Sequence, residues 1–253
     1  MTTLVGHGYI GNAIAKRLGE NRRLAHLLWY SHGKREMILN SCIVNAAGYV
    51  GTPNVDACET HKQECIEGNI LWPMELERRY NPVPIIHITS GCVYNGYKDG
   101  GWTEEDEPNF TGSFYSLTKA TFQKHCDLEY NYLLRIRMPF GAEDNPRNLL
   151  TKLRSYSSLV DSVNSLTNID DLVKVVDYFS EHLPEPGIYN VCNPGEISTR
   201  EIAEILGLNK EWISVTDFLK KVSAPRSFTT LNTDKIQKIL PIRDVREALL
   251  SCV

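Results

Sequence analysis

A glycine-rich turn near the start of the chain constrains the fold more than any other feature. Leu4-Val5 reads as a short strand. Gly6-His7-Gly8-Tyr9-Ile10-Gly11 then opens a segment in which Ile10, Ala13, Ile14 and Leu18 recur at helical spacing. A strand passing through such a turn into a helix leaves the first helical N–H groups unpaired and close to any ligand. The pattern alone is a weak signal, and the strand before it and helix after it supply the context it needs. The same alternation continues downstream. Residues 24–30, 42–46, 85–89 and 132–138 read as buried strands, with helices at 55–76 and 115–128. That order predicts an α/β fold with a doubly wound parallel sheet of the Rossmann type.

After Pro139 the texture changes. Asn145-Pro146-Arg147-Asn148 starts a helix-like segment, 158–163 reads as a short strand, 169–183 as an amphipathic helix and 187–192 as another strand. Ser198-Thr199-Arg200-Glu201 has the form of a capping box, with Gly207 as the stop signal. A boundary near 140 therefore separates a dinucleotide-binding domain, 1–140, from a mainly substrate-binding lobe, 141–253, some of whose segments return to the first sheet. The formal net charge of −4 and the lack of a basic tract argue against nucleic acid as a partner. No apolar run approaches the roughly 20 residues of a membrane span. The N-terminal residues enter the glycine motif too soon to form a signal peptide, so a cytoplasmic location is expected. Seven scattered cysteines fit reduced thiols. Cys58, His61 and Cys65 share helical spacing, but three ligands on one helix without a second cluster read better as a face of small thiols. No metal is expected.

Two groups of residues carry the chemistry. Gly6, Gly8 and Gly11, with Tyr9 and Ile10 between them, form the dinucleotide cradle. Specificity is set after the second strand, where Tyr30-Ser31-His32-Gly33-Lys34-Arg35 offers no acid before Glu36. A hydroxyl and cations, Ser31 and Lys34 first, suit a 2′-phosphate and predict NADPH. The second group begins with Tyr115 and Lys119, four apart on one helix face, where the ammonium is expected to favour the phenolate. Ser90, delivered from a strand end, would join them in polarising a carbonyl. Cys92 adds a second titratable group beside Ser90.

Together these residues resemble the extended short-chain dehydrogenase/reductase superfamily, and within it the UDP-4-keto-6-deoxyglucose 3,5-epimerase/4-reductase family of UDP-L-rhamnose synthesis. The segments that carry the likeness are Asn45-Ala46-Ala47-Gly48, Gly51-Thr52-Pro53-Asn54-Val55-Asp56 and Pro108-Asn109-Phe110-Thr111-Gly112-Ser113-Phe114-Tyr115-Ser116. Arg135-Ile136-Arg137-Met138-Pro139, Asn145-Pro146-Arg147-Asn148 and Ala224-Pro225-Arg226-Ser227 extend it to the C-terminal region. The glycine loop departs from the superfamily's usual pattern by being one residue tighter.

The resemblance implies a substrate, UDP-4-keto-6-deoxyglucose, whose C3 and C5 protons are acidic beside the C4 ketone. Ser90 and Tyr115 would steady the C4 oxygen. Lys119 would keep Tyr115 acidic and hold the nicotinamide ribose, placing Tyr115 and Lys119 at the cofactor too. Cys92 with Lys152 would exchange the protons, with acid and base unassigned between them. Asn45, Ala46, Ala47 and Pro139 would line the cofactor. Arg226 and Arg147 would meet the diphosphate, while Asn109 and Asn148 would bind sugar or nucleotide. Plant relatives often carry a dehydratase on the same polypeptide, so a separate upstream UDP-glucose 4,6-dehydratase is expected. A homodimer is allowed for. The competing enzyme reading is a reductase alone, similar to dTDP-4-dehydrorhamnose reductase, which needs neither Cys92 nor Lys152. A GDP-fucose synthase-like activity and a non-catalytic NADP-binding regulatory subunit are the remaining alternatives.

Overall fold

The computed structural model describes residues 1–28 and 41–253. At its centre is a six-stranded sheet. It contains β1 (Thr2–Val5), β2 (Leu24–Leu28), β3 (Cys42–Asn45), β4 (Ile85–Ser90), β5 (Tyr132–Ile136) and a last strand, Gly187–Asn190. Every neighbouring pair is parallel, in the order Gly187–Asn190, β5, β4, β3, β1, β2. The chain leaves β1 on one side for β2 and resumes on the other side with β3. Parallel sheets take ligands in the crevice above such a reversal, at the carboxyl ends of the strands.

Helices α1 (Tyr9–Glu20), α2 (Lys62–Ile66), α3 (Trp72–Tyr80), α4 (Phe114–His125), α5 (Leu149–Ser155), α6 (Ile169–His182) and α7 (Thr199–Ile205) surround the strands. β1, β3 and β5 are buried along their whole length, as expected for a sheet covered on both faces. Successive side chains point to opposite faces. Leu4, Val44 and Ile86 thus join Ile14 and Leu18 of α1 and Leu172 and Val176 of α6, while Val5, Ile43 and Ile85 meet Leu76 of α3. Truncating one of these side chains to alanine costs roughly 2–5 kcal/mol. A separate cluster of Phe140, Leu150, Leu159, Leu166, Ile202 and Leu249 holds much of the C-terminal part together.

Some boundaries differ from the sequence expectation for identifiable reasons. The predicted helix 55–76 is broken into a 3-10 turn at Val55–Glu59, α2, a π-helical turn at Glu67–Leu71, and α3. The π turn lets Asn69 grip the backbone of Tyr49, accepting its N–H at 3.0 Å and donating to its carbonyl at 2.8 Å. Ser198 does cap α7 by accepting the Glu201 N–H at 3.0 Å. Glu201 leaves the capping box half made, because its carboxylate holds Arg246 instead. Gly187–Asn190 pairs with β5, and α6 lies against the same sheet face as α1, so both elements from beyond residue 140 contribute to the first core.

Candidate active site

The glycine turn and the end of β3 touch at the strand reversal. Gly6 has φ +110, and a Cβ there would lie 2.7 Å from the Ala47 nitrogen and 2.8 Å from the Ala46 carbonyl carbon. A Cβ at Gly11 would lie 2.2 Å from the Gly6 oxygen, so two glycines are required for the strand, helix and β3 loop to close up. Gly8 has open space instead. It caps α1 without a side-chain hydrogen bond, leaving the helix N-terminus free to receive an anion. Ile10 packs inward on the core, and the Tyr9 phenol lies over Gly141, with burial and then Glu143 pushing it up to about 12. This cradle fits a dinucleotide pyrophosphate. Ser31 and Lys34, expected to read the cofactor's 2′ position, lie outside the described residues.

Asn45 shapes the facing wall. Its side-chain oxygen accepts the Ala47 N–H at 3.2 Å, which turns its amide nitrogen toward His87 Nδ1 at 3.1 Å. The other ring nitrogen of His87 faces Glu77 Oε1 at 3.3 Å. Buried His87, between Asn45 and half-buried Glu77, therefore backs the end of β3 from beneath, a role no sequence pattern announced. Pro139 lies just past β5, paired with Thr167.

Ser90 ends β4, and α4 carries Tyr115 and Lys119 past it. Ser113 starts α4 by accepting the Ser116 N–H at 3.1 Å, and Glu59 accepts the Phe114 N–H at 2.8 Å. Gln123, two turns on from Tyr115, donates to the Ser90 carbonyl at 2.9 Å and to Thr89 Oγ1 at 3.0 Å. Arg135 steadies that amide by donating to its oxygen at 2.8 Å. Helix and strand end are thus locked together, and Ser90 acts on the Tyr115 phenol from close by.

The charge balance at Tyr115 differs from the sequence expectation. Burial raises its phenol, the nearby Cys92 adds to the effect, and Ser90 only partly offsets them. Lys119 lies with its ammonium 5.9 Å from the Tyr115 ring centroid, and burial lowers it from 10.5 to about 8. Desolvation outweighs the cation here, so Tyr115 is a protonated donor at neutral pH rather than a phenolate. A ketone oxygen that must gain a proton is served by that form. Lys119 Nζ also lies 3.2 Å from where a Cβ on Gly48 would be, against the end of the Asn45-Ala46-Ala47-Gly48 turn.

Cys92 shares this mouth, half-exposed, with its N–H donating to Ser90 Oγ at 3.0 Å. Burial alone would raise its thiol, but the Arg137 charge and hydrogen bonds from Ser90, Ser227 and Arg137 bring it below the ordinary value. The sequence reading paired Cys92 with Lys152; the structure gives the thiol Arg137 as its neighbouring cation, with Nη1 3.1 Å from Cys92 Sγ. Arg137 belongs to the Arg135-Ile136-Arg137-Met138-Pro139 segment that carries the family likeness, which implied no role for it. Its position two residues after Arg135, just past the largely apolar β5, was the available signal.

The residues expected on the substrate side divide differently. Lys152 is half-buried on α5, lowered first by desolvation and then by the charges of Arg147 and Arg226, so the three cations form one basic region. Arg226 already makes a bidentate pair with Asp56, at 2.9 Å on both oxygens. Arg147 donates to the Gly51 carbonyl at 2.7 Å and to Thr52 Oγ1 at 3.2 Å. Both arginines therefore hold the 51–56 segment. Asn109 staples Asn95 through its N–H at 2.9 Å and its carbonyl at 3.1 Å. Asn148 caps α5 and donates to the carbonyls of Gly141 and Glu143 at 2.7 and 2.6 Å. Cys58 and Cys65 are buried, Cys65 meeting Thr118 at 3.4 Å and accepting from Asn69 at 3.3 Å, while His61 turns out to Thr60 and the Ala57 carbonyl. Cys58 lies on the 3-10 turn and Cys65 on α2, so the single helix expected to carry both is interrupted near His61.

The model of the RmlD substrate binding domain matches residues 34–253. A bifunctional dTDP-4-dehydrorhamnose 3,5-epimerase/dTDP-4-dehydrorhamnose reductase of Arabidopsis thaliana is 37% identical over 239 residues, covering 86% of this chain and 78% of that protein. A trifunctional UDP-glucose 4,6-dehydratase/UDP-4-keto-6-deoxy-D-glucose 3,5-epimerase/UDP-4-keto-L-rhamnose-reductase of the same plant is 36% identical over 227 residues, covering 82% of this chain. This chain spans only 34% of that longer relative. The crystal structure of the L780 UDP-rhamnose synthase from Acanthamoeba polyphaga mimivirus is similar over 99% of both chains, with a TM-score of 0.90 and 27% identity. A dTDP-4-dehydrorhamnose reductase from Bacillus anthracis, solved in complex with NADP, shares the fold with a TM-score of 0.80 and 17% identity, over 98% of this chain and 96% of the other.

Proposed function

The chain belongs to the RmlD substrate binding domain family, and from that premise we propose that it is a bifunctional epimerase and reductase of nucleotide-sugar metabolism. It would convert UDP-4-keto-6-deoxy-D-glucose to UDP-β-L-rhamnose by inversion at C3 and C5 and NADPH-dependent reduction at C4. One observation carries this reading: a donor pair for a ketone oxygen, Ser90 with Tyr115, shares its mouth with a thiol held against a guanidinium.

When Cys92 or Lys152 takes the proton from a carbon beside the ketone, the C–H electron pair forms a double bond to C4 and the carbonyl π pair moves onto the C4 oxygen. Ser90 and Tyr115 steady that developing charge by hydrogen bonding. A proton returned to the opposite face of the carbon re-forms the ketone with inverted configuration. NADPH, seated on Gly6, Gly8 and Gly11 with Asn45, Ala46 and Ala47 opposite, would supply hydride to C4. Tyr115 gives its proton to the C4 oxygen at that stage, and Lys119 supports it. The basic region of Lys152, Arg147 and Arg226 draws the diphosphate to the lobe beyond residue 140.

A reductase acting alone is the second reading, and the Cys92–Arg137 contact counts against it, since hydride delivery needs no poised thiol. Seven free cysteines support a reducing compartment, the cytoplasm, where a separate dehydratase would provide the 4-keto sugar. Among the described residues no helix is long and apolar enough to cross a membrane. The test is incubation with UDP-4-keto-6-deoxyglucose and NADPH, followed by identification of the sugar. The L-rhamno product is expected. A 6-deoxy sugar reduced at C4 but uninverted at C3 and C5, or no product, would overturn the assignment.

A further inference from the structure

Arg137 is 1% exposed at the end of β5, and a guanidinium so deeply buried is costly unless its charge is answered. Its Nη1 donates to Ser227 Oγ at 2.8 Å and to Cys92 Sγ at 3.1 Å. Its Nη2 donates to Asn164 Oδ1, and to the Ser227 carbonyl at 3.3 Å. Serine, asparagine and a carbonyl are neutral acceptors. Among the described residues Arg137 has no carboxylate ion pair, so the one acceptor able to become an anion is the thiol.

The path of this arm is built into the chain. Gly91 lies between Ser90 and Cys92, and a Cβ there would stand 3.1 Å from both Cγ and Cδ of Arg137 and 2.6 Å from Leu231 Cδ1. The missing side chain lets the arginine cross beneath the turn that presents Cys92. Ser227 anchors the far end of the arm, and its neighbour Arg226 is tied to Asp56.

We infer that Arg137 is the positioning residue of the epimerase half-reaction, holding Cys92 as a thiolate and fixing its sulfur beside Ser90 in the substrate mouth. The inference rests on the role given to Cys92 above. The other titratable groups facing Cys92 are Tyr115 and Lys119 on α4 and Cys192 just beyond Gly187–Asn190. Burial keeps Tyr115 and Cys192 protonated, so neither competes for the charge. Lys119 gives up its own charge above about 8. Arginine keeps its charge at any pH the protein meets, so the thiolate's partner does not titrate away.

Site-resolved alkylation of Cys92 by iodoacetamide, followed by mass spectrometry across pH, reads this directly and needs no sugar. Cys92 in the unaltered protein should react with a midpoint below the ordinary thiol value of about 8.5. In Arg137→Met the midpoint should rise by about one pH unit or more, which is about a tenfold slower reaction at neutral pH. Arg137→Lys should recover part of the loss by restoring a cation. An unchanged midpoint in a folded Arg137→Met protein, judged by circular dichroism, overturns the inference. If that variant does not fold, the ultraviolet thiolate absorbance of the unaltered protein, minus that of Cys92→Ser, still gives the titration. A midpoint at or above about 8.5 there is equally fatal. Because alkylation is independent of the substrate, a shifted midpoint with no rhamnose formed would fault the proposed activity and leave the Arg137 assignment intact.

Discussion

Lys119 should be a liability to the folded chain, and replacing it should make the protein more stable while ending its proposed function. Lys119 is 7% exposed, and burial lowers its ammonium from 10.5 to about 8. At about 1.4 kcal/mol per pKa unit, that depression corresponds to about 3 kcal/mol spent on keeping the ammonium charged inside the fold. Below pH 8 both folded and unfolded chains carry the proton, so the penalty is complete at neutral pH. Between pH 8 and 10.5 the unfolded chain still holds the proton that the folded chain has released, and stability rises with pH through that window. Lys119→Met removes the charge and keeps the apolar stem. Urea unfolding at neutral pH should show it more stable by up to about 3 kcal/mol. The gain is trimmed by loss of the attraction to Cys65, whose thiol is drawn down to about 6, by Cys58 first, then the hydrogen bonds of Thr118 and Asn69 and the charge of Lys119. The variant should also lose the rise between pH 8 and 10.5. A variant no more stable than the parent at neutral pH, or one that keeps that rise, would refute the desolvation argument.

Other predictions follow from the same geometry. Tyr115→Phe should slow NADPH oxidation by about 10²–10⁴-fold, the usual worth of a positioned proton donor, and full-rate oxidation would contradict its role. Cys92→Ala should end deuterium incorporation from heavy water at C3 and C5 of the keto sugar, as seen by NMR, and undiminished incorporation would remove the thiol from the mechanism. Gly91→Ala should destabilise the fold by roughly 1–3 kcal/mol, because the added methyl overlaps Leu231 and crowds the arm of Arg137. A melting temperature equal to the parent's would show that the turn yields more easily than its packing suggests.

What the sequence disclosed follows from what is local. The turn at Gly6, the buried runs of β1, β3, β4 and β5, and the four-residue spacing of Tyr115 and Lys119 are all contained in short stretches, so periodicity and residue type could reveal them. Arg226 and Arg147 were visible as cations in recognisable segments. Their engagement with Asp56 and with the 51–53 backbone was not visible, because those partners lie far away in the chain. His87 was hidden for a similar reason. Inside a β4 run of isoleucines it reads as one more core residue, and only the fold sets it between Asn45 and Glu77. The direction of the Tyr115 shift also escaped, since helical spacing gives proximity to a lysine but says nothing about how much water both groups lose.

The pairing of Gly187–Asn190 with β5 has a practical consequence for anyone dissecting the molecule. A version trimmed after residue 140 would keep the glycine turn and the Tyr115 phenol, yet it would end with β5 as an open border, its row of amides and carbonyls bare along a stretch of Tyr-Leu-Leu-Arg-Ile. Naked borders of that kind invite other chains to add themselves as strands, so the fragment should precipitate or form ladders rather than stay in solution.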